Sequence, residues 1–162
     1  MESLFAAMET TAIADYLRMS RWSYALVSAA HILGIALLVG SIIPFNLHIL
    51  GLWKNFPRLM LARVLLPVAL TGLLVAIVAG SVLFSIRAVE YSGILFFQIK
   101  MVLVVIGTLS ALLLHRAYGL TLEHAPEHTT DHTVEMKLRV HALLSILCWL
   151  GALICGRLIA FV

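Results

Sequence analysis

The chain has 162 residues, 62% of them hydrophobic and 12% charged, with a mean hydropathy of +1.07. That composition excludes a soluble globular domain and describes an integral membrane protein. The net charge of +3 and the pI near 9.1 are accounted for by basic loops between apolar runs, and give no reason to expect nucleic acid as a partner.

At the start of the chain Leu4, Phe5, Met8, Ala12, Ile13, Tyr16 and Leu17 recur at helical spacing, with Glu2, Glu9 and Asp15 on the other face. This pattern predicts an amphipathic interfacial helix within residues 1–20, lying on the membrane surface. Ser20 is placed to cap the helix that follows, and Trp22 and Tyr24 suit the headgroup level. The first apolar run is too long for a cleavable signal peptide, and acidic as well as basic residues precede it.

No Asp, Glu, Lys or Arg occurs between Arg21 and Lys54 or between Arg63 and Arg87. From Glu90 to Arg116 the sole charge is Lys100, and after Val140 it is Arg157. A spanning helix needs about 20 apolar residues, so the runs predict four spans, at about 22–50, 64–86, 92–114 and 138–161. The fold expected is all-α, an integral membrane four-helix bundle forming one transmembrane domain over 1–162. Pro44 and Pro67 predict kinks in the first two spans. Gly72, Ala76 and Gly80 on the second span, and Gly107 and Ala111 on the third, allow either close helix approach or room for a flat cofactor.

Lys and Arg near the span ends divide six against three. Lys54, Arg58, Arg63, Arg116, Lys137 and Arg139 lie on one side, and Arg18, Arg21 and Arg87 on the other. The positive-inside rule then places both termini outside the cytoplasm, in a bacterial-type inner membrane.

Ionisable residues inside the spans point to function, because lipid tolerates them only where they find a partner or a ligand. His31, Lys100 and Arg157 fall roughly 14, 12 and 8 Å in from the outer ends of their helices at 1.5 Å per residue, so all three share the outer half. No intramembrane acid neutralises the two cations, which implies an anion from elsewhere. His48, His115 and His141 gather near the opposite boundary. Lys100, Gly107, Ala111 and His115 lie within about 60° of one another on the third helix.

A b-type haem satisfies the outer layer. His31 would be an axial ligand and Lys100 and Arg157 the counter-charges of the propionates, or Lys100 would take the sixth position as a neutral amine. A second haem would lie between two of His48, His115 and His141. The structural alternatives are a hydrogen-bonded His31, an Arg157 that reaches to headgroups, and interfacial inner histidines. Cys148 and Cys155, seven residues apart on one helix, are roughly 10 Å apart along its axis and cannot form a disulfide. With His141 they would make a ladder of soft ligands for Cu(I). In the last connection His124, His128 and His132 each follow an acid. A helix starting at Pro126 would align His128, His132 and Glu135 at metal-ligand spacing, whereas a solvated loop would not. No phosphate-binding loop, dinucleotide fingerprint, serine elbow or zinc-protease motif occurs.

The run His31-Ile32-Leu33-Gly34 with Gly40 and Pro44, then Pro67 to Gly72, then Phe97-Gln98-Ile99-Lys100 leading to His115, resembles a four-helix membrane group. That group includes the copper-resistance D (CopD) proteins and the HemJ-type protoporphyrinogen oxidase. The closing Gly156-Arg157-Leu158-Ile159-Ala160-Phe161 is similar to the end of uncharacterised relatives of the group. The resemblance implies a haem-associated bundle in which His31 matches the family histidine of the first helix and Lys100 the lysine of the third.

The expectation is a membrane protein that binds one or two b haems and transfers electrons to or from quinone or a periplasmic redox partner, alone or in a homo- or hetero-oligomer. The alternatives are a membrane oxidase acting on a porphyrin or another anionic lipophile, CopD-like copper transport, and a non-catalytic anchor or assembly subunit.

Overall fold

The computed structural model describes residues 9–53, 55–117 and 132–161, the side chains of 12–13, 113–117 and 132–135 excepted. Its helices, in chain order, are α1 (Ala12–Met19), α2 (Arg21–Ile49), α3 (Arg58–Ile86), α4 (Ala88–Gly93), α5 (Leu95–Ala117) and α6 (His132–Leu158). A 3-10 turn, Ile159–Phe161, follows α6, and there is no strand among the described residues. Among the described residues four helices are long and apolar enough to cross a membrane, matching α2, α3, α5 and α6. Because α2, α3, α5 and α6 alternate in direction, one end of the bundle carries the termini and the other the 50–57 connection. We call the corresponding halves the terminal half and the loop half.

The helix limits differ from the apolar runs for identifiable reasons. α3 starts at Arg58, six residues before the charge-free run begins at Val64, since a helix satisfies its own backbone and continues past the hydrocarbon while arginine side chains reach to the headgroups. The third span starts at Leu95 because residues 88–93 form α4 instead, and Ile94 between them is extended. Pro44 and Pro67 lie within helices that run on through them. Ser20 caps α2 as its position suggested, its hydroxyl accepting from the Ser23 amide at 3.3 Å.

α1 is docked on the ends of other helices. It buries Ala14 and Leu17 and exposes Asp15, Tyr16, Arg18 and Met19. Arg18 donates to the carbonyl of Ile86 at 2.7 Å, and the Glu9 carboxylate accepts from the Val89 amide at 2.9 Å. Residues 1–8 of the expected interfacial helix lie outside the described residues.

The bundle is assembled from two helix pairs. α2 and α3 meet backbone to backbone: a Cβ on Gly34 would lie 2.6 Å from the Ala76 nitrogen, and one on Gly72 2.5 Å from the Leu38 nitrogen. α5 and α6 meet where Gly107 faces the Trp149 indole, 3.2 Å from a built Cβ. The pairs are joined through α2 and α6 by two apolar clusters. Leu38, Ile42, Ala69 and Trp149 form one, and Phe45, Ile49, Ala62, Leu138 and Ala142 form the other. Beside them the Asn46 amide donates to the Ser145 hydroxyl at 2.9 Å, a buried bond between α2 and α6 that joins residues 99 apart in sequence. All of this packing lies from mid-bundle into the loop half. α2 buries nothing before Gly34, and α5 nothing before Gly107. α3 and α5 do not pack on each other along their length, so the terminal half is open between the pairs.

Candidate functional site in the terminal half

His31 lies in this open half with its ring position determined by α3. Nδ1 is 2.8 Å from the carbonyl oxygen of Ala76. A carbonyl only accepts, so Nδ1 carries the proton and Nε2 presents its lone pair. The ring fits because position 80 is glycine: a Cβ there would lie 2.8 Å from Cε1 and 3.1 Å from Nδ1. Of the small residues on α3, Gly72 therefore serves helix approach and Gly80 makes room for an imidazole.

Lys100 reaches from α5 along α6, where a Cβ on Gly156 would lie 3.3 Å from its Nζ. It is half-buried and close enough to His31 and Cys155 to act on both electrostatically. Lys100 has no hydrogen bond or ion pair among the described residues. The structure thus brings His31 and Lys100 into one layer. Arg157, the third residue expected there, is exposed, with its guanidinium carbon 5.0 Å from the centroid of the Phe161 ring, a cation–π arrangement on the same helix end.

Toward the terminal end the layer is covered by aromatic rings that sequence reasoning missed. Phe84 of α3 stacks on Phe97 of α5 with centroids 5.1 Å apart and planes 7° apart. Tyr91 of α4 extends the stack at 6.3 Å. Burial pushes the Tyr91 phenol above the ordinary tyrosine range, with Tyr24 and Glu90 adding to the effect and Arg87 opposing it. The available signal was register: Phe84 is four residues after Gly80 and Phe97 three before Lys100, so each shares the face of its neighbour in the layer.

The histidines of the loop half are engaged differently. His48 is buried and donates from Nε2 to the Phe56 carbonyl at 2.8 Å. That bond ties down a connection containing two residues of positive φ, Gly51 at 111° and Trp53 at 54°. His48 Nδ1 is buried without a partner among the described residues. His141 donates from Nδ1 to the Lys137 carbonyl of its own helix at 2.8 Å. The side chain of His115 lies outside the described residues, as do His128 and the side chains of His132 and Glu135, the last two in the first turn of α6. Cys148 is buried, Cys155 is half-buried, and both are free. No group of three or more His, Cys, Asp or Glu converges among the described residues.

No protein-family model, curated protein or solved structure matches the chain. Fold and site together describe a multi-pass membrane protein, all-helical among the described residues, with a histidine and a lysine that has no ion pair among them in one layer.

Proposed function

We propose that the protein binds one b-type haem in the His31–Lys100 layer and serves electron transfer between the membrane and a redox partner on the terminal side. The observation that carries this reading is the orientation of His31. Iron-ligating histidines characteristically donate one ring N–H to a carbonyl or carboxylate, which sets the tautomer and turns the other nitrogen to the metal. Here Nδ1–H is donated to Ala76, the Gly80 cradle accepts the ring, and Nε2 is left with its lone pair. Lys100 adds a cation with no ion pair among the described residues, suited to a propionate. Haem would supply the one-electron redox change. The chain's residues supply the imidazole, the counter-charge, and an apolar surround that lowers the local dielectric. With the termini outside the cytoplasm the partner would be quinone or a periplasmic redox protein.

In this reading His48 and His141 act structurally, because neither lies in the open half: His48 is buried in the packed loop half and ties down the connection after α2, and His141 bonds back to its own helix. The expected stoichiometry is therefore one haem, not two. Absorption spectra of the detergent-purified protein, oxidised and then reduced, test the proposal. A Soret band with about one haem per chain is expected in the wild type, lost in His31→Ala and kept in His141→Ala. A wild type with no Soret band, or a His31→Ala protein with unchanged haem content, refutes it and leaves an anchor or a haem-free carrier of anionic lipophiles.

A further inference from the structure

We propose that the occupant of the His31–Lys100 layer comes from the bilayer, sideways through the gap between α3 and α5, and that the Phe84–Phe97–Tyr91 stack shuts the layer off from water. This makes the ligand a membrane-dissolved, planar anion, not a solute of the aqueous phase. The inference deepens the proposed function and rests on it only in treating the layer as a binding site.

The argument is geometric. Phe84 follows Gly80 by four residues and Phe97 precedes Lys100 by three, so at 1.5 Å per residue the two rings sit about 6 Å and about 4.5 Å nearer the terminal end. Each is within about 60° of the face on which its helix carries the layer residue. The rings meet at 5.1 Å between α3 and α5, and Tyr91, on the short helix that precedes α5, stacks on Phe97 at 6.3 Å. Beneath this bridge α3 and α5 do not pack together among the described residues, and the outer face of α5, turned about 100° or more from Lys100, exposes Ile99, Met101, Val102, Val105 and Ile106 as a lipid-facing surface would. An opening between two such helices, facing hydrocarbon and covered by rings at its terminal end, selects a ligand by its solubility in lipid. The lone pair of His31 and the charge of Lys100 then select for an acceptor atom and an anionic group.

The native Cys155 thiol reports on access, since it borders Gly156 under the Lys100 side chain and lies within that ammonium's field. In proteoliposomes of a Cys148→Ala protein, Cys155 is exposed in turn to a lipid-soluble maleimide and to a sulfonated, membrane-impermeant one. The lipid-soluble reagent is expected to react at least tenfold faster. Phe84→Ala and Phe97→Ala are expected to raise the rate of the charged reagent about tenfold and to leave that of the lipid-soluble reagent within about twofold. Phe97→Leu keeps the apolar volume without the stack and gives an intermediate result if the alanine variants fold poorly. Leu147→Cys, made with Cys148→Ala and Cys155→Ala at an exposed position of α6, reports lipid-facing labelling, which none of the Phe variants should alter. Equal wild-type rates for the two reagents, or unchanged charged-reagent rates in all the Phe variants, overturn the inference. Haemin dissolved in the vesicle bilayer should slow the lipid-soluble reaction. If it does not while the Phe variants behave as stated, the haem reading fails and the lateral opening stands.

Discussion

Replacing Gly80 with alanine sets a methyl carbon 2.8 Å from Cε1 of His31, where ordinary contact begins at 3.4 Å. The ring cannot yield without lengthening its 2.8 Å bond to Ala76, because it is held from the same side. The lost hydrogen bond costs about 1 kcal/mol. Exchanging glycine for alanine inside a helix returns about 1 kcal/mol, so folding stability should change by no more than about 1 kcal/mol. Binding should respond far more, since losing the contact that orients a metal-ligating histidine typically lowers metal affinity about 10–100-fold. Gly80→Ala should therefore resemble His31→Ala in haemin titrations while melting near the wild type. Gly40→Ala is the matched control: nothing lies within 4 Å of a Cβ there, so it should bind normally and be slightly stabilised. Haemin affinity from Soret titration, read beside the thermal melt followed by circular dichroism, decides the matter. Wild-type affinity in Gly80→Ala, or an equal loss in Gly40→Ala, would refute the claim that this glycine exists to seat the imidazole.

Gly34→Ala drives a methyl against the Ala76 nitrogen and the Gly72 oxygen of α3, so the two backbones must part. A loss of about 1–3 kcal/mol is expected, visible as a lower melting temperature in detergent. Asn46→Ala and Ser145→Ala each break the buried link between α2 and α6. A double-mutant cycle on unfolding free energy should give a coupling of about 0.6–1.7 kcal/mol, and zero coupling would mean that the link is idle. Lys100→Gln removes a cation beside the site and should lower the haem midpoint potential, because the oxidised cofactor carries the extra positive charge, by an amount on the order of tens of mV. Arg157→Gln, exposed and stacked on Phe161, should move it less. Identical potentials in wild type and both variants at full occupancy would show that neither cation contacts the cofactor.

The four spans were legible in the sequence because lipid imposes a simple test: a run free of charge and about 20 residues long can hardly be anything else. The limits of α3 and α6 were less so, since a helix does not stop where its side chains turn polar. The common layer of His31 and Lys100 was also legible, because helical rise converts distance from a span end directly into depth. Depth carries no information about azimuth, and that is what tertiary structure decided. Which carbonyl receives the His31 N–H, 45 residues away, and which of Gly72 and Gly80 faces a backbone and which a ring, depend on how α2 crosses α3. Arg157 shares the depth of the layer but sits on an exposed side of α6, and His48 spends its Nε2 on the loop that follows its own helix. Sequence periodicity assigns each residue a height and a face within its own helix, whereas the neighbour met by that face is set by packing between helices distant in the chain.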